Sequence, residues 1–300
     1  MKITVTGGTG FLGRRILKVL AARGHEVRVL SRRADQPLPA GGATSVWDPG
    51  AAAAPAAALE DSDAVLHLAG EPVAQRWTAA AKQRIRESRV AGTRRLVEGL
   101  AGCSGKPHSL VCASAIGYYG TRGAEILTEN SAAGSGFLPE VCAAWEQEAV
   151  NAEALGIRVT RIRIGIVLDP EGGALQPMLA PFRAGLGGPL GGGRQWMSWI
   201  HAADVAAMAC FALENGAPPV LNAVAPGAVT NVDFTGALAS ALGRRARLPV
   251  PKVALRMLFG EMAELLLASQ HVIPAAAEAV GFHFRFPALP GALKDLLRAD

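Results

Sequence analysis

KITVTGGTGFLGRRILKVLAARGHEVRVL, residues 2–30, is the stretch whose reading decides the fold. Lys2–Thr6 is a short β-rich run, Gly7-Gly-Thr-Gly-Phe-Leu-Gly13 follows it, and from Arg14 to Ala22 the apolar residues fall at helical spacing. Gly24 then ends the helix, and His25-Glu-Val-Arg-Val-Leu30 supplies a second strand. Strand, glycine-rich turn, helix and second strand in this order are the opening of a parallel βαβ unit.

Within the turn, Gly7, Gly10 and Gly13 form a Gly-x-x-Gly-x-x-Gly pattern. The first glycine permits a tight turn, the second lets backbone approach a pyrophosphate, and the third lets helix pack closely on strand. The helix N-terminus supplies the anion site. The expected cofactor contacts of this loop are Gly7, Thr9, Gly10, Phe11, Leu12 and Gly13. NAD sites usually place an acidic residue at the end of the second strand to hold the ribose hydroxyls, whereas this chain reads Leu30-Ser31-Arg32-Arg33. A guanidinium matches a 2′-phosphate, so the sequence points to NADP, with Arg32 the preferred contact over Arg33.

Further along, residues 34 to 60 are rich in Ala, Pro and Gly and carry a short third strand near Thr44-Ser-Val-Trp47. Asp63-Ala-Val-Leu-His-Leu-Ala-Gly70 reads as a buried strand, and Leu68, Ala69 and Gly70 at its end are expected to approach the adenosine half of a dinucleotide. His67, inside that apolar run, is expected to be a packed core histidine. A long helix runs from a Thr78 N-cap to Leu100, with Ile85, Leu96, Val97 and Leu100 on its apolar side. Leu110–Ser114 is the next strand and runs out into Ala-Ile-Gly-Tyr-Tyr-Gly120. A helix over Phe137–Leu155 and the strand Arg158–Ile164 follow. Alternating strands and helices imply a parallel sheet with right-handed crossovers.

Half of the 300 residues are hydrophobic, enough for one large α/β unit with a smaller appended domain. The net charge is +5, yet the arginines are scattered, which favours an anionic small ligand over nucleic acid. Cys103, Cys112, Cys142 and Cys210 show no metal spacing and read as reduced thiols. With a strand already at residues 2–6 and no apolar run of about 18 residues, neither a signal peptide nor a membrane span is expected. The expectation is a cytoplasmic protein with no membrane partner.

These residues resemble the extended short-chain dehydrogenases and nucleotide-sugar epimerases. Gly7–Gly13, Asp63–Gly70, Ser114-Ala-Ile-Gly-Tyr-Tyr-Gly120 and Trp199-Ile-His-Ala-Ala-Asp204 match that family in order and spacing. Arg76-Trp-Thr, Ser88-Arg-Val-Ala-Gly-Thr93, Cys142-Ala-Ala-Trp-Glu146, Gly188 to His201 and Gly281-Phe-His-Phe-Arg-Phe286 look like its epimerase-like subgroup, sometimes called SulA-like. The resemblance covers nearly the whole chain. It implies a doubly wound Rossmann α/β parallel sheet with a smaller, mostly helical C-terminal substrate domain. The expected division is a Rossmann domain over 1–170 with a returning segment at about 196–225, and a substrate-side region over 171–300 with a helical domain at about 245–300. Homodimers are common among the proteins it resembles.

The family's reaction uses a Tyr as general acid or base with a Lys four residues later lowering its pKa. The two tyrosines here, Tyr118 and Tyr119, have no lysine at that spacing, and Leu138 and Cys142 align with the dyad, with Glu146 one turn further along the same face. Ser114 aligns with the family's serine, and Ser114 and Tyr118 are the candidate catalytic groups, weighed equally. A hydroxyl at a strand end also serves local backbone, so both have structural alternatives. Arg89 stands where related enzymes carry an Asn, and it is a candidate contact for cofactor or an acidic substrate, or a partner for a surface carboxylate.

In the second half, Gly185–Gly193 leads into the strand-like run Arg194-Gln-Trp-Met-Ser-Trp-Ile-His201, whose aromatics beside Arg194 and Gln195 could floor a ligand pocket or be plain core. Asp204 is expected to cap the Ala-rich helix after it, with His201 structural. Pro249-Val-Pro-Lys252 leads into a helix through Leu267, and Ala292–Leu297 forms a last one. The sequence therefore implies an NADP-dependent oxidoreductase or epimerase-like enzyme for a small polar metabolite. The alternative is a non-catalytic NADPH-binding sensor, and DNA binding ranks third because no basic recognition helix is present.

Overall fold

A computed structural model of the chain describes residues 1–34, 38, 42–246 and 248–298, and part of the 34–60 connection therefore lies outside the described residues. Seven parallel strands form the central sheet: β1 (Lys2–Thr6), β2 (Glu26–Ser31), β3 (Ala43–Val46), β4 (Ala64–His67), β5 (Ser109–Ala115), β6 (Arg158–Ile164) and β7 (Val220–Ala223). Their spatial order is β7-β6-β5-β4-β1-β2-β3, so the chain leaves β1 in one direction through β2 and β3 and returns to build the other half from β4 outward. That reversal makes the carboxyl ends of β1 and β4 the topological switch point, where a crevice opens between the connecting loops.

Helices cover both faces. On one side α1 (Phe11–Ala22) packs against α4 (Ala202–Asn215), and on the other α2 (Ala79–Ala101) packs against α3 (Phe137–Val150). In α1 the buried residues Gly13, Ile16, Leu17 and Leu20 recur at helical spacing and meet Ile3, Val5, Val27 and Val29 of the sheet. A single truncation such as Leu20→Ala, at a side chain with no exposure, would cost about 2–5 kcal/mol. The other face is closed by Leu96 and Leu100 of α2 and Trp145 and Ala149 of α3 over Val65, Leu110 and Val159. Thr78 caps α2, its hydroxyl accepting from the Ala81 amide at 3.2 Å.

The chain makes a long excursion between β6 and β7, which carries Ile166–Asp169, Trp196–Met197 and Trp199–His201. The expected continuous run from Arg194 to His201 is two short strands that belong to different small sheets. Trp196–Met197 pairs antiparallel with Val229–Thr230, whereas Trp199–His201 pairs parallel with Ile166–Leu168. Between them Ser198 turns its hydroxyl to the Gln270 and Val272 carbonyls, at 2.8 and 3.2 Å.

Two other expectations are corrected. Helix α4 begins at Ala202, not after Asp204: His201 is the N-cap, its Nδ1 accepting from the Ala203 amide at 3.0 Å. The Asp204 carboxylate is committed elsewhere, accepting from the Arg285 and Phe286 amides at 2.9 and 3.0 Å. The helix expected through Leu267 is broken into Lys252–Phe259, a 3₁₀ turn at Gly260–Met262 and Ala263–Leu267, because Gly260 turns the chain away at φ +61°. The C-terminal segment is tied to the sheet half by His271–Val272, which pairs with Ile126–Leu127. No helix among the described residues is long and apolar enough to cross a membrane.

Candidate functional site

At the switch point the β1–α1 turn is built from backbone with side chains removed. Gly7 adopts φ +71°, and a Cβ there would stand 2.7 Å from the Ala69 nitrogen and the Leu68 carbonyl carbon at the end of β4. A Cβ on Gly13 would stand 2.2 Å from the Gly7 oxygen, so only glycine lets α1 begin this close to the turn. The first helical hydrogen bond runs from the Arg14 amide to the Gly10 carbonyl at 2.9 Å. The amides of Phe11, Leu12 and Gly13 precede it and have no intrahelical acceptor. Gly10, the N-cap, offers no side-chain cap, and no acid stands in the first turn. This helix end is thus a positive pole without a built-in counter-charge. Thr9 is half-buried, its carbonyl accepting from Arg14 Nε at 3.0 Å, and the partly buried rings and chains of Phe11 and Leu12 pack on the core.

Around this turn the other candidates gather. Strand β2 ends at Ser31, and Arg32 and Arg33 beyond it are exposed. Neither makes an ion pair among the described residues. Leu68 and Ala69 are half-buried and Gly70 is exposed at the end of β4. The Arg89 guanidinium lies over Gly70, 3.2 Å from where its Cβ would be, and 5.1 Å from the Trp145 ring centroid. Its Nη1 donates to the Glu71 and Ile85 carbonyls at 2.9 and 3.2 Å, and burial lowers its pKa. Arg89 makes no ion pair with a surface carboxylate among the described residues. His67 is fully buried between the Thr6 and Thr93 hydroxyls, at 2.6 and 2.9 Å, and burial with Arg89 nearby lowers its pKa to about 4. It is a neutral strut beneath the turn.

Across the crevice, the end of β5 meets α3 and β6 in a buried polar network. Ser114 donates to Glu146 Oε1 at 2.6 Å. Arg163 closes on the same carboxylate with Nε to Oε1 at 2.8 Å and Nη2 to Oε2 at 2.9 Å, a two-pronged pair with both partners buried. Burial opposes the Arg163 charge, but the Glu146 hydrogen bonds prevail and its pKa is raised. Arg163 Nη1 also donates to the Tyr119 hydroxyl at 2.9 Å, which in turn donates to Asn222 Oδ1 at 2.7 Å on β7. Tyr118 and Tyr119 thus part company. Tyr119 is fully buried and its hydroxyl is committed, while the half-buried Tyr118 ring has the Arg163 guanidinium over it, 3.5 Å from centroid to Cζ.

The positions aligned with the dyad face this network from α3. Leu138 and Cys142 stand 3.5 and 3.7 Å from where a Cβ on Gly117 would be, on the turn that follows Ser114. Leu138 belongs to an apolar cluster with Trp77, Phe137, Leu265 and Leu266. The Cys142 thiol is buried, and burial with Glu146 nearby pushes its pKa up to about 12. It holds its proton at neutral pH and does not replace a lysine cation. All four cysteines are free and buried.

Arg163, Asn222 and Glu129, whose Oε1 accepts from the Asn222 amide at 3.0 Å, carry this site together with the residues singled out from the sequence. The available signal was in β6 itself: Arg158-Val-Thr-Arg-Ile-Arg-Ile164 places charges inside a strand flanked on both sides, and a buried arginine demands an anion. Trp199 is fully buried core, its Nε1 donating to the Gly227 carbonyl at 2.7 Å, whereas Trp196 is half-buried and stacks on His271 at 3.9 Å.

A doubly wound sheet with a glycine turn and a bare helix end at its switch point is the Rossmann-like architecture common among nucleotide-binding α/β proteins. The sequence profile of the NAD dependent epimerase/dehydratase family matches residues 3–223, and that of a domain of unknown function (DUF1731) matches 250–296. The chain belongs to the NAD dependent epimerase/dehydratase family. It is 39% identical to the chloroplastic epimerase family protein SDR39U1 homolog of Arabidopsis thaliana, over 99% of this chain and 87% of that one. It is 38% identical to the epimerase family protein YfhF of Bacillus subtilis, over 99% and 98%. The crystal structure of human epimerase family protein SDR39U1 with NADPH superposes with a TM-score of 0.88 at 36% identity, covering 99% of both chains. UDP-glucose 4-epimerase from Thermotoga maritima, at 19% identity and a TM-score of 0.78, shares the fold.

Proposed function

We propose that this protein is an NADP-dependent oxidoreductase or epimerase-like enzyme acting on a small polar metabolite in the crevice between the sheet and the C-terminal segment. The observation that carries the reading is the β1–α1 turn with two arginines at the end of β2 that make no ion pair among the described residues. The bare amides of Phe11, Leu12 and Gly13 fit a pyrophosphate, and Arg32, with Arg33 beside it, fits a 2′-phosphate where an acid would repel one. The human relative's NADPH supports the same assignment. Leu68, Ala69 and Gly70 would hold the adenosine side by backbone, with Arg89 over Gly70 as a further cation. NADPH, when bound, supplies a hydride.

The chain's own groups manage the proton. Ser114 aims its hydroxyl proton at Glu146, so when a substrate hydroxyl is oxidised by NADP its oxygen can accept that proton as Glu146 takes the one it gives up, and when NADPH delivers hydride to a carbonyl the same two protons run back from Glu146 through Ser114 to the substrate oxygen. Arg163 fixes the Glu146 carboxylate with two hydrogen bonds and lies over the Tyr118 ring. Tyr118 is the second candidate donor, since Tyr119 is already committed. Losing a positioned proton donor altogether costs about 10²–10⁴-fold in rate, and with no lysine beside either tyrosine this relay falls short of a Tyr-Lys pair by up to that span.

The apolar surroundings of Leu138 and the protonated Cys142 favour a second reading, a protein that binds NADPH and signals or docks without chemistry. One experiment separates the two: titration with NADPH and NADH followed by nicotinamide fluorescence, then a panel of carbonyl metabolites. NADPH-selective binding with consumption of the cofactor supports the enzyme. Binding without turnover supports the sensor, and no binding of either nucleotide sinks both.

A further inference from the structure

Away from the turn that would hold the nucleotide, a cavity of about 310 Å³ opens between the glycine-rich segment and the C-terminal helices. Gly192, Arg194, Gln195, Lys252, Leu267 and Ser269 line it. Its lining has two cations and no carboxylate, and neither Arg194 nor Lys252 enters an ion pair among the described residues.

The other two polar side chains of the wall, Gln195 and Ser269, are each hydrogen-bonded to backbone. Gln195 Nε2 donates to the Leu190 carbonyl at 3.0 Å. Ser269 donates to the Gly123 carbonyl at 2.6 Å and accepts from the Trp196 amide at 3.0 Å. The frame is braced by backbone as well: Gly191 donates to Val250 at 2.8 Å, Val250 to Pro189 at 2.9 Å, and Asn231 to the Gln195 carbonyl at 2.8 Å. A Cβ on Gly191 would stand 3.0 Å from Leu267 and 3.1 Å from Lys252, so the glycine leaves room for both to reach the cavity wall. Two uncommitted cations in a braced concavity focus a positive potential that an anion would relieve.

The wall of the cavity is linked through one hydrogen bond to the segment that follows Ser114. Ser269 is followed by Gln270, whose Nε2 donates to the Ile116 carbonyl at 2.8 Å, and Ile116 stands two residues beyond Ser114. We propose that this cavity is the subsite for an anionic group of the substrate, a carboxylate or a phosphate monoester, held by Arg194 and Lys252. This rests on the reading of the neighbouring crevice as the reaction site, and it narrows the small polar metabolite to an anionic one.

The test is calorimetric titration of NADPH-saturated protein with inorganic phosphate and, separately, with malonate, on wild type and on R194Q/K252Q. Both side chains are exposed, so the variant is expected to keep its fold, checked by its melting temperature. The expected result is saturable binding of at least one anion, weakened about tenfold or more in the variant, with NADPH affinity unchanged. Phosphate binding over malonate points to a phosphorylated substrate, and the reverse to a carboxylate. Failure of both anions to bind wild type overturns the proposal, as does equal affinity for the variant. The NADPH titration alone reports on the nucleotide assignment. Should it fail, the same anion titrations without nucleotide still isolate this cavity through the difference between wild type and variant.

Discussion

The two sides of the crevice are made of opposite materials. On the β1–α1 side, Gly7 and Gly13 remove side chains so that backbone meets backbone, and the fully buried His67 is held neutral between two hydroxyls. On the β5–α3–β6 side, Ser114, Glu146, Arg163, Tyr119 and Asn222 interlock charged and polar side chains with almost no exposure. The first side is specified by what is missing and the second by what is paired. They should therefore fail in different ways when disturbed.

The largest effect is expected from Glu146→Ala, which leaves Arg163 buried without its counter-ion. Stability in guanidinium unfolding should fall by roughly 3–5 kcal/mol, while protein that remains folded keeps its NADPH affinity. A loss of only a few tenths would mean that the network is not an electrostatic unit, and the contrast between the two sides would collapse. Next comes acid. His67 has its pKa lowered to about 4 by burial, below the ordinary 6.5, so the unfolded chain takes up the proton first. The stability this contributes is present above pH 6.5 and is lost as pH falls from there towards 4, by roughly 3 kcal/mol in all. Unfolding curves across that window should be flatter for His67→Gln, and an unchanged slope would remove His67 from the account.

Smaller effects probe the turn itself. Gly13→Ala drives a methyl into the Gly7 carbonyl at an overpacking cost of about 1–3 kcal/mol, which should appear as NADPH affinity lowered on the order of tenfold to a hundredfold. Smallest is Arg32→Ala: NADPH should weaken by about tenfold and NADH hardly at all, the signature of one charge-assisted contact to a phosphate. Equal loss for both nucleotides would take the 2′-phosphate away from Arg32.

The same contrast explains what could be read in advance. Gly7, Gly10 and Gly13 lie within one turn and state a local requirement, so strand, turn, helix and second strand were legible from residues 2–30 alone. The polar network is assembled across the fold: Ser114 and Glu146 are 32 residues apart, and Tyr119 and Asn222 are 103 apart. No local pattern encodes those pairings, although the arginines of β6 announce that some anion must answer them. At the start of α4, His201 and Asp204 are both residues able to cap a helix. The distant amides of Arg285 and Phe286 decide between them by occupying the aspartate. At Gly260 the apolar spacing suggested continuity, and a single backbone conformation interrupted it. In each case a residue's local preference was outbid by a partner or a turn that its neighbours in sequence do not reveal.

The last strand of the central sheet has a consequence for how the protein is made. Strand β7 is Val220–Ala223, yet it flanks β6, which ends at Ile164, and Asn222 on it receives the Tyr119 hydroxyl. A ribosome that has released only β1 to β6 presents an unpaired sheet edge and a buried polar network short of one acceptor. More than fifty further residues must emerge before either is satisfied. Co-translational folding of the nucleotide half is thereby held open, a window in which the nascent edge is available to chaperones or to aggregation.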